Sequence, residues 1–451
     1  MKTLIPLRRA AVGFILLLPL TSLAQSPLDL YIREGLKSNI ALQQKNLSLQ
    51  QAETALAIAR NHFLPSIQLM ADYTSGDGGR SIALPVGDLL NPVYQSLNQL
   101  TGSDAFPQIQ NVDENFFPKN FYDAKIRTSL PIVNSDIVIN RSIKTKQLAM
   151  ADFELKSYQR QLVFEITEAY FKHLAAAEAV KIYEGAEKIV LRNVQINESL
   201  KRNGKGLPAQ VLRSRSEAEK VKAELNTARN SFSNSRKYFN FLLNRELDSP
   251  IDIDHSVSNP LSFDSTAIST SNREELAMAK IGNEISHSVV RLNQLRRLPK
   301  VNAFLDLGSQ ATNWEFNNKS QYYLFGVQLS VPLFQGFTNQ LNIRQSKLDL
   351  RMSTLSLENV SRAVQLSAEL AANEVLNAQS NLAAASEQLK AATSYFELVE
   401  RGYAEGINTL IEFLDARNQL TTSALLNNVR TFELLIARAK FERETATSQI
   451  L

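Results

Sequence analysis

The chain carries the same succession of segments twice. Residues 64–69 (LPSIQL) are matched by residues 298–303 (LPKVNA), and residues 129–132 (SLPI) by 330–333 (SVPL). Each half reads as helix, Leu-Pro, strand, loop, strand ending at proline, very long helix, glycine turn and helix. A repeat of this size predicts two copies of one structural unit. We therefore expect a first repeat at 25–243, a linker at 244–272 and a second repeat at 273–451.

The first residues have the pattern of a secretory signal peptide. A basic start and an apolar run over residues 10–20 precede small residues at the cleavage position, which predicts removal of 1–24. The apolar run is short and contains Pro19, so a cleaved peptide is favoured over a membrane anchor. The formal net charge of +4 includes three basic leader residues and gives no reason to expect a nucleic-acid partner. The chain has no cysteine, which excludes disulfides.

Four segments alternate apolar and polar residues with the two-residue period of a strand. They lie near 65–75, 121–131, 299–309 and 321–332, and each has the length that crosses a bilayer as a tilted strand. The polar side carries the charged residues Asp72, Asp123, Lys125, Arg127, Lys300 and Asp306. Such charges suit a water-filled lumen better than a protein core. A soluble sandwich with one wet face is the alternative, but no second sheet is available to pack on it.

Aromatic residues gather at one end of these strands, as in the girdle of an outer-membrane barrel. They are Phe116, Phe117, Phe121, Tyr122, Trp314, Phe316, Tyr322 and Tyr323. Four strands cannot close a barrel, and lipid does not tolerate unpaired strand edges. Three copies would supply twelve strands. The sequence therefore predicts a barrel that is shared between copies of the chain and is in contact with outer-membrane lipid.

Two stretches without proline, near 135–203 and 337–401, predict exceptionally long helices. At 1.5 Å per residue each would span about 100 Å, which suits a structure that crosses the periplasm. Heptads favour coiled-coil seams. In the first repeat they are Leu155, Leu162, Ala169, Ala176, Tyr183 and Val190; in the second, Leu350, Leu357, Val364, Ala371, Ala378, Ala385 and Ala392. Each long helix turns at glycines and returns as a hairpin. Residues 27–62 read as one helix, and 75–120 as a long Gly-, Pro- and Asn-rich loop.

Together these segments resemble the outer membrane factor family, the TolC-like channels of efflux and secretion systems. The sharpest match is residues 401–416 (RGYAEGINTLIEFLDA), which is similar to a Gly-Tyr-x-x-Gly-x-x-Thr-x-x-Asp-x-Leu-Asp-Ala stretch of the family. The resemblance implies an α+β membrane protein: a trimeric channel-tunnel with a twelve-stranded barrel, four strands per chain, continuing into a long helical periplasmic barrel. It also implies partnership with a periplasmic adaptor, or membrane fusion protein, and an inner-membrane transporter.

The resemblance also implies roles for residues at the second turn. Glu412 and Asp415 match acidic residues that line the closed entrance, and their spacing places them on one helix face. Under threefold symmetry they would form two carboxylate rings that favour cations. Tyr403 matches a tyrosine that helps to hold the entrance closed. Asn408 stands where the type member of the family has arginine, so it can hydrogen-bond but cannot form an ion pair.

The first turn departs further from the family pattern. Leu212 stands where an acidic partner is expected, and Arg213 and Arg215 follow it. Four residues at the two turns are expected to contact the adaptor: Gly206, Leu207, Gly406 and Ile407. The glycines also permit the reversal of the chain.

The sequence shows no catalytic constellation. The four histidines are scattered, and neither a phosphate-binding glycine loop nor a Ser-His-Asp set is present, so we expect no enzyme activity, metal or cofactor. The leading interpretation is the outer-membrane exit duct of a tripartite efflux pump, extending into the periplasm. The outer component of a type I protein-secretion system is the alternative within the same fold. A non-conducting periplasmic coiled-coil tether is the alternative from another class.

Overall fold

A computed structural model describes residues 26–117, 119–252 and 268–447. The predicted signal peptide and most of the predicted linker lie outside the described residues. The helices are α1 Pro27–Ser38, α2 Ile40–Asn61, α3 Val86–Thr101, α4 Ser135–Arg202, α5 Pro208–Leu242, α6 Glu274–Leu295, α7 Thr338–Ala404 and α8 Leu410–Thr445. The strands are β1 Ser66–Thr74, β2 Ser81–Leu84, β3 Val112–Asn115, β4 Phe121–Val133, β5 Lys300–Thr312 and β6 Gln321–Ser330.

The described chain divides into two compact units. The sheet unit comprises residues 44–157 and 271–365, and the hairpin unit comprises the described residues of 1–43, 158–270 and 366–451. In the ranges that the structure describes, no helix combines the length and the apolar character that a membrane-spanning helix needs.

The sheet unit is built on a four-stranded antiparallel sheet in the order β1-β4-β5-β6. All four predicted strands are present. β4 and β5 run two or three residues further than predicted, with an irregularity between Pro131 and Val133. β6 ends before Pro332, which has no backbone N–H to donate. Strands β1 and β6 lie at the two edges of the sheet.

The register separates the side chains into two chemically different faces. Arg127 lies opposite Asp306 on one face, and Asp123 lies near them. Arg127 binds Asp306 through two hydrogen bonds of 2.7 and 2.6 Å. The other face is apolar and exposed, and its members include Ile67, Leu69, Ile126, Leu307, Tyr323, Phe325, Val327 and Leu329. This division follows directly from the two-residue period read in the sequence.

Aromatic rings meet at one end of the sheet, as the sequence predicts. Trp314 stacks on Tyr73 at 5.3 Å and on Tyr122 at 5.6 Å between ring centroids. Phe316 packs against Tyr122 at 4.6 Å. The cluster buries Tyr122 almost completely.

The structure corrects two expectations about local structure. Residues 75–120 are not simply a loop, because they form the β2–β3 hairpin and helix α3. Residues 27–62 form two helices rather than one. Asn39 adopts an extended conformation between them, accepts a hydrogen bond from the Leu42 N–H and donates one to the Leu242 carbonyl. The apolar residues keep their helical spacing across this break, so the sequence pattern does not indicate that the helix is interrupted.

The hairpin unit contains two pairs of long helices: α4 from residue 158 onward packs on α5, and α7 from residue 366 onward packs on α8. Predicted heptad positions such as Leu162, Val190, Ala371 and Ala392 are buried. Their burial follows from helix packing along the seam that the heptads define. Two expectations stay predictions: the supercoiling of these seams and the bounds of the two repeats.

Candidate functional site

The turn between α7 and α8 is built around two glycines. The Gly402 carbonyl accepts hydrogen bonds from the Ile407 N–H at 2.7 Å and the Asn408 N–H at 3.1 Å. A β-carbon on Gly402 would lie 1.9 Å from Oδ1 of Asn408, so only glycine fits there without displacing that side chain. Gly406 has φ +81°, in the left-handed region that glycine adopts most readily. Ile407, at the end of the turn, is 76% exposed.

The turn between α4 and α5 closes through different positions. Gly204, with φ +70°, makes the reversal, and the Lys205 N–H donates to the Leu200 carbonyl at 2.9 Å. Gly206 has no left-handed φ, but a β-carbon on it would lie 2.9 Å from the Lys201 nitrogen. It is therefore required for close approach rather than for the reversal. Leu207 is 64% exposed at this tip.

Glu412 belongs to the N-terminal cap of α8. Its carboxylate accepts hydrogen bonds from the Thr409 N–H at 2.7 Å, the Thr409 hydroxyl at 3.1 Å and Asn408 Nδ2 at 3.3 Å. The Glu412 N–H donates to the Thr409 hydroxyl oxygen, which completes a capping box. These bonds, led by the Thr409 backbone N–H, lower the pKa of Glu412 from its ordinary value of 4.5.

Asp415 lies one helical turn further along α8 and is exposed. No hydrogen-bond or ion-pair partner for its side chain is present among the residues that the structure describes. Asn408, by contrast, is tied to Glu412 within its own turn. The two predicted carboxylates thus share a helix face but differ in their surroundings.

Tyr403 joins the two hairpins through a residue that the sequence did not single out. Its hydroxyl accepts a hydrogen bond from Asn197 Nδ2 at 3.1 Å and lies 3.3 Å from Asn197 Oδ1. Its ring stacks on Phe413 at 4.9 Å between centroids. Asn197 on α4 is buried, whereas Leu212 on α5 is exposed.

Asn197 is one member of a small buried polar cluster. Its Nδ2 lies 3.0 Å from Asn193 Oδ1 and 3.1 Å from the Ser214 hydroxyl, which itself donates to Asn193 Oδ1 at 2.9 Å. Buried polar groups of this kind stabilise one arrangement of the chain because they lose their partners in any other. The sequence contains only a weak indication of this cluster, since Asn193 and Asn197 are simply two polar residues spaced four apart.

A buried ion pair joins α5 to α8 beyond this cluster. Arg417 donates to the carboxylate of Glu217, and the Arg417 side chain is 1% exposed. Sequence reasoning missed the pair. The sequence does contain an indication that Arg417 is buried. Arg417 follows Phe413 by four residues and precedes Leu420 by three, which is the spacing of residues on the buried seam of a helix.

A groove of about 860 Å³ lies beside the two turns. Its apolar lining includes Ile189, Ile196 and Leu200, and its charged lining is mostly basic: Lys188, Arg192, Lys205 and Arg401, with Glu400. Within the described ranges, no group of three or more His, Asp or Glu side chains is arranged to hold a metal ion.

A sheet with one apolar exposed face and one charged face, joined in the same chain to long helical hairpins, defines an outer-membrane channel subunit with a periplasmic helical part. The outer membrane efflux protein family matches residues 31–245 and 268–439. The chain therefore belongs to that family. This membership confirms the outer-membrane location and the function of an exit duct.

Relatives and solved structures agree with this assignment. Outer membrane protein TolC of Salmonella enteritidis is 22% identical over 415 residues, which cover 88% of this chain and 77% of the relative. Alkaline protease secretion protein AprF of Pseudomonas aeruginosa is 20% identical over 313 residues, 67% of this chain and 63% of the relative. The crystal structure of VceC, an outer membrane protein of Vibrio cholerae, superposes with a TM-score of 0.76 at 15% identity, covering 93% of this chain and 95% of that one.

Proposed function

We propose that three copies of this chain form the exit duct of a tripartite efflux pump. The observation that carries the proposal is the pair of open sheet edges, β1 and β6, beside an exposed apolar face. An apolar face of this kind is stable in lipid, whereas open edges in lipid leave unsatisfied backbone groups. Pairing β6 of one copy with β1 of the next satisfies those groups. Three copies then give a twelve-stranded barrel whose charged face lines the lumen.

The second turn supplies the candidate gate. In a threefold assembly, Asp415 and Glu412 would form two rings of carboxylates that attract cations and bind multivalent ions. The Tyr403–Asn197 contact and the buried Arg417–Glu217 pair hold the second hairpin against the first. We assign these two contacts the role of holding the entrance in its narrow state. Asn408 acts within its own turn by orienting Glu412.

The exposed tips supply the candidate adaptor contact. Leu207 and Ile407 present apolar side chains at the ends of the two hairpins, while Gly206 and Gly406 shape the turns that carry them. Exposed apolar residues at two adjacent turns favour a protein partner. The proposed partners are a periplasmic adaptor and, through it, an inner-membrane transporter.

Protein export is the second candidate function. It is favoured by the similarity to AprF, whose name describes secretion of an alkaline protease. The duct would be the same, and the difference lies in the transporter that delivers the cargo. A non-conducting tether is disfavoured by the charged face of the sheet, which has no role without a lumen.

Single-channel conductance in planar bilayers tests the duct and its gate. The variant Glu412→Gln with Asp415→Asn removes both charges while glutamine can still complete the capping box. We expect a cation-selective conductance that multivalent cations block, with selectivity and block lost in this variant. Glu219→Gln with Glu387→Gln, which removes two exposed carboxylates elsewhere on the hairpins, should retain both properties.

Two results would contradict the proposal. Unchanged selectivity in the Glu412 and Asp415 variant would remove these residues from the gate. A folded trimer that conducts no ions, even when the entrance is loosened by Tyr403→Phe, would favour the tether over the duct.

A further inference from the structure

The segment between β1 and β4 is a folded insertion. The β2–β3 hairpin forms its base, and α3 stands between those two strands in the sequence. Gly102, with φ +58°, ends α3, and its N–H donates to the Asn98 carbonyl. This insertion belongs to none of the elements that make the duct or its gate.

Asparagine side chains fasten the returning chain along α3. Asn91 donates to the Ile109 carbonyl and accepts from the Ile109 N–H, both at 2.9 Å. Asn98 forms the same pair of bonds with Phe106, at 2.8 and 3.0 Å. These paired bonds fix one side of α3 and leave the opposite side uncovered.

The uncovered side of α3 has the spacing of a helix–helix seam. Leu89, Val93, Ser96 and Leu100 follow one another by four, three and four residues, the spacing of adjacent a and d positions. Leu89 is 70% exposed, Val93 50% and Leu100 84%. The Ser96 hydroxyl donates to the Pro92 carbonyl at 2.9 Å, so burial of Ser96 would leave no unsatisfied hydroxyl. We name these four residues the α3 seam.

The charge of α3 indicates which occupant the seam fits. The helix contains no lysine or arginine, whereas helices that lie on a membrane surface usually carry basic residues on their polar face. Its one charged residue, Asp88, is bonded to Asn111 and lies in the first turn. Identical copies of such a helix can approach without repulsion between like charges along the seam.

The position of the insertion in the sheet points in the same direction. It leaves the sheet from β1, an edge strand, which in the proposed trimer lies at the boundary between copies. We propose that the α3 seam packs on the same seam of the neighbouring copies and caps the outer mouth of the duct. This inference rests on the trimeric duct proposed above. The occupant is therefore a second copy of this chain, and the duct has a constriction at its outer end besides the one at its tips.

Cross-linking of single cysteines tests the cap directly, because the chain has no cysteine of its own. Leu100→Cys in the purified full-length protein should form a linked pair of chains with a short bifunctional thiol reagent. At a threefold axis, about two thirds of the chains can be linked, because each linker joins two of three. Gln95→Cys lies on the opposite side of the same helix, is also exposed, and should give no linked pair.

The outcomes separate the cap from the trimer beneath it. A conducting trimer in which Leu100→Cys links no better than Gln95→Cys would overturn the cap and leave the duct intact. A protein that is monomeric and does not conduct would overturn both. If a fluorophore on Leu100→Cys is quenched by brominated lipid in a conducting trimer, the seam faces lipid and the cap is wrong.

A charge-insertion variant provides a second test. Leu89→Glu with Leu100→Glu places carboxylates on every copy of the α3 seam, so repulsion should open the cap and raise the mean conductance. Because Leu100 is replaced in this variant, cross-linking is measured through Val93→Cys, another residue of the α3 seam. This cross-link should form without the added charges and be lost when they are present. Gln95→Glu with Gln99→Glu adds the same charge outside the seam and should change neither measurement. Unchanged conductance and persistent cross-linking in the seam variant would contradict the proposal.

Discussion

Arg417 on α8 donates a hydrogen bond to Glu217 on α5, and both side chains lie in the interior of the hairpin unit. The pair joins the two hairpins close to the turn that carries Glu412 and Asp415. It is also a charged contact between the two hairpins. Asn408 cannot form such a contact, because asparagine has no charge.

Glu217→Ala should destabilise the hairpin unit strongly. Removing one member of a buried ion pair leaves an uncompensated buried charge and costs about 3–5 kcal/mol. Chemical unfolding of the purified protein, followed by circular dichroism, measures the loss. Glu219→Ala on the exposed face of the same helix is the matched control and should change the unfolding free energy by less than about 1 kcal/mol. The double variant Glu217→Leu with Arg417→Met should recover most of the loss, and no recovery would contradict a role that depends on charge.

Tyr403→Phe should loosen the entrance while keeping the packing of the ring on Phe413. The variant leaves the Asn197 amide without its partner across the hairpins, which costs about 1–3 kcal/mol. We expect a larger single-channel conductance together with this loss of stability. Tyr395→Phe, on the same helix, removes a partly exposed hydroxyl and should leave conductance unchanged. Equal effects from the two substitutions would exclude a specific role for the contact with Asn197.

Gly402→Ala should disrupt the second turn although the change is a single methyl group. The new β-carbon would lie 1.9 Å from Asn408 Oδ1, so the Asn408 side chain must leave its bond to Glu412. Hydrogen exchange at residues 405–412 should become faster. Gly185→Ala provides the opposite control, because that position in α4 has open space and alanine should stabilise the helix by about 0.5–1 kcal/mol. Protection of the turn equal to that of the unmodified protein would show that the turn accommodates the methyl group.

The contribution of Glu412 to the cap of α8 should persist below pH 4.5. Its pKa is lowered in the folded protein, so the charged form is favoured by folding, and this stabilisation is fully present above 4.5. It is lost only as the pH falls through the lower folded-state pKa. Hydrogen exchange of the first turn of α8, measured against pH, should show this window. Glu412→Gln should remove the pH dependence and keep the protection, whereas Glu412→Ala should lose both; a profile that Glu412→Gln leaves unchanged would assign the titration to another group.

His173 should make the hairpin unit less stable in acid. Burial, with a smaller effect of Arg236, lowers its pKa from 6.5 to about 4, so the unfolded chain binds more protons between those values. Stability therefore rises with pH across that window, by at most about 3 kcal/mol for the shift involved. The ring stacks on Phe232 at 4.6 Å, and Phe is therefore a suitable replacement. Unfolding at pH 4.5 and pH 7 should differ less in His173→Phe than in the unmodified protein, while exposed His62→Phe should retain the full difference.

Local periodicity was sufficient to predict the strands and the long helices. A two-residue period assigns each strand residue to one of two faces, and heptads assign helix residues to a seam, so Arg127, Ile67, Leu162 and Ala371 lie where the sequence predicts. Periodicity could not find the break at Asn39 or helix α3, because both depend on side-chain bonds to distant backbone: Asn39 to Leu242, and Asn91 to Ile109.

The sequence by itself was sufficient to predict the class of this protein. The motif at residues 401–416 was also sufficient to name the residues of the candidate gate. Tertiary structure alone decided the partners of those residues. Tyr403 contacts Asn197, and Arg417 contacts Glu217, because the packing of four helices brings together residues about two hundred positions apart. Spacing along one helix contains no information about which residue of another helix lies opposite. That relation is fixed by how the helices pack, and only the folded chain shows it.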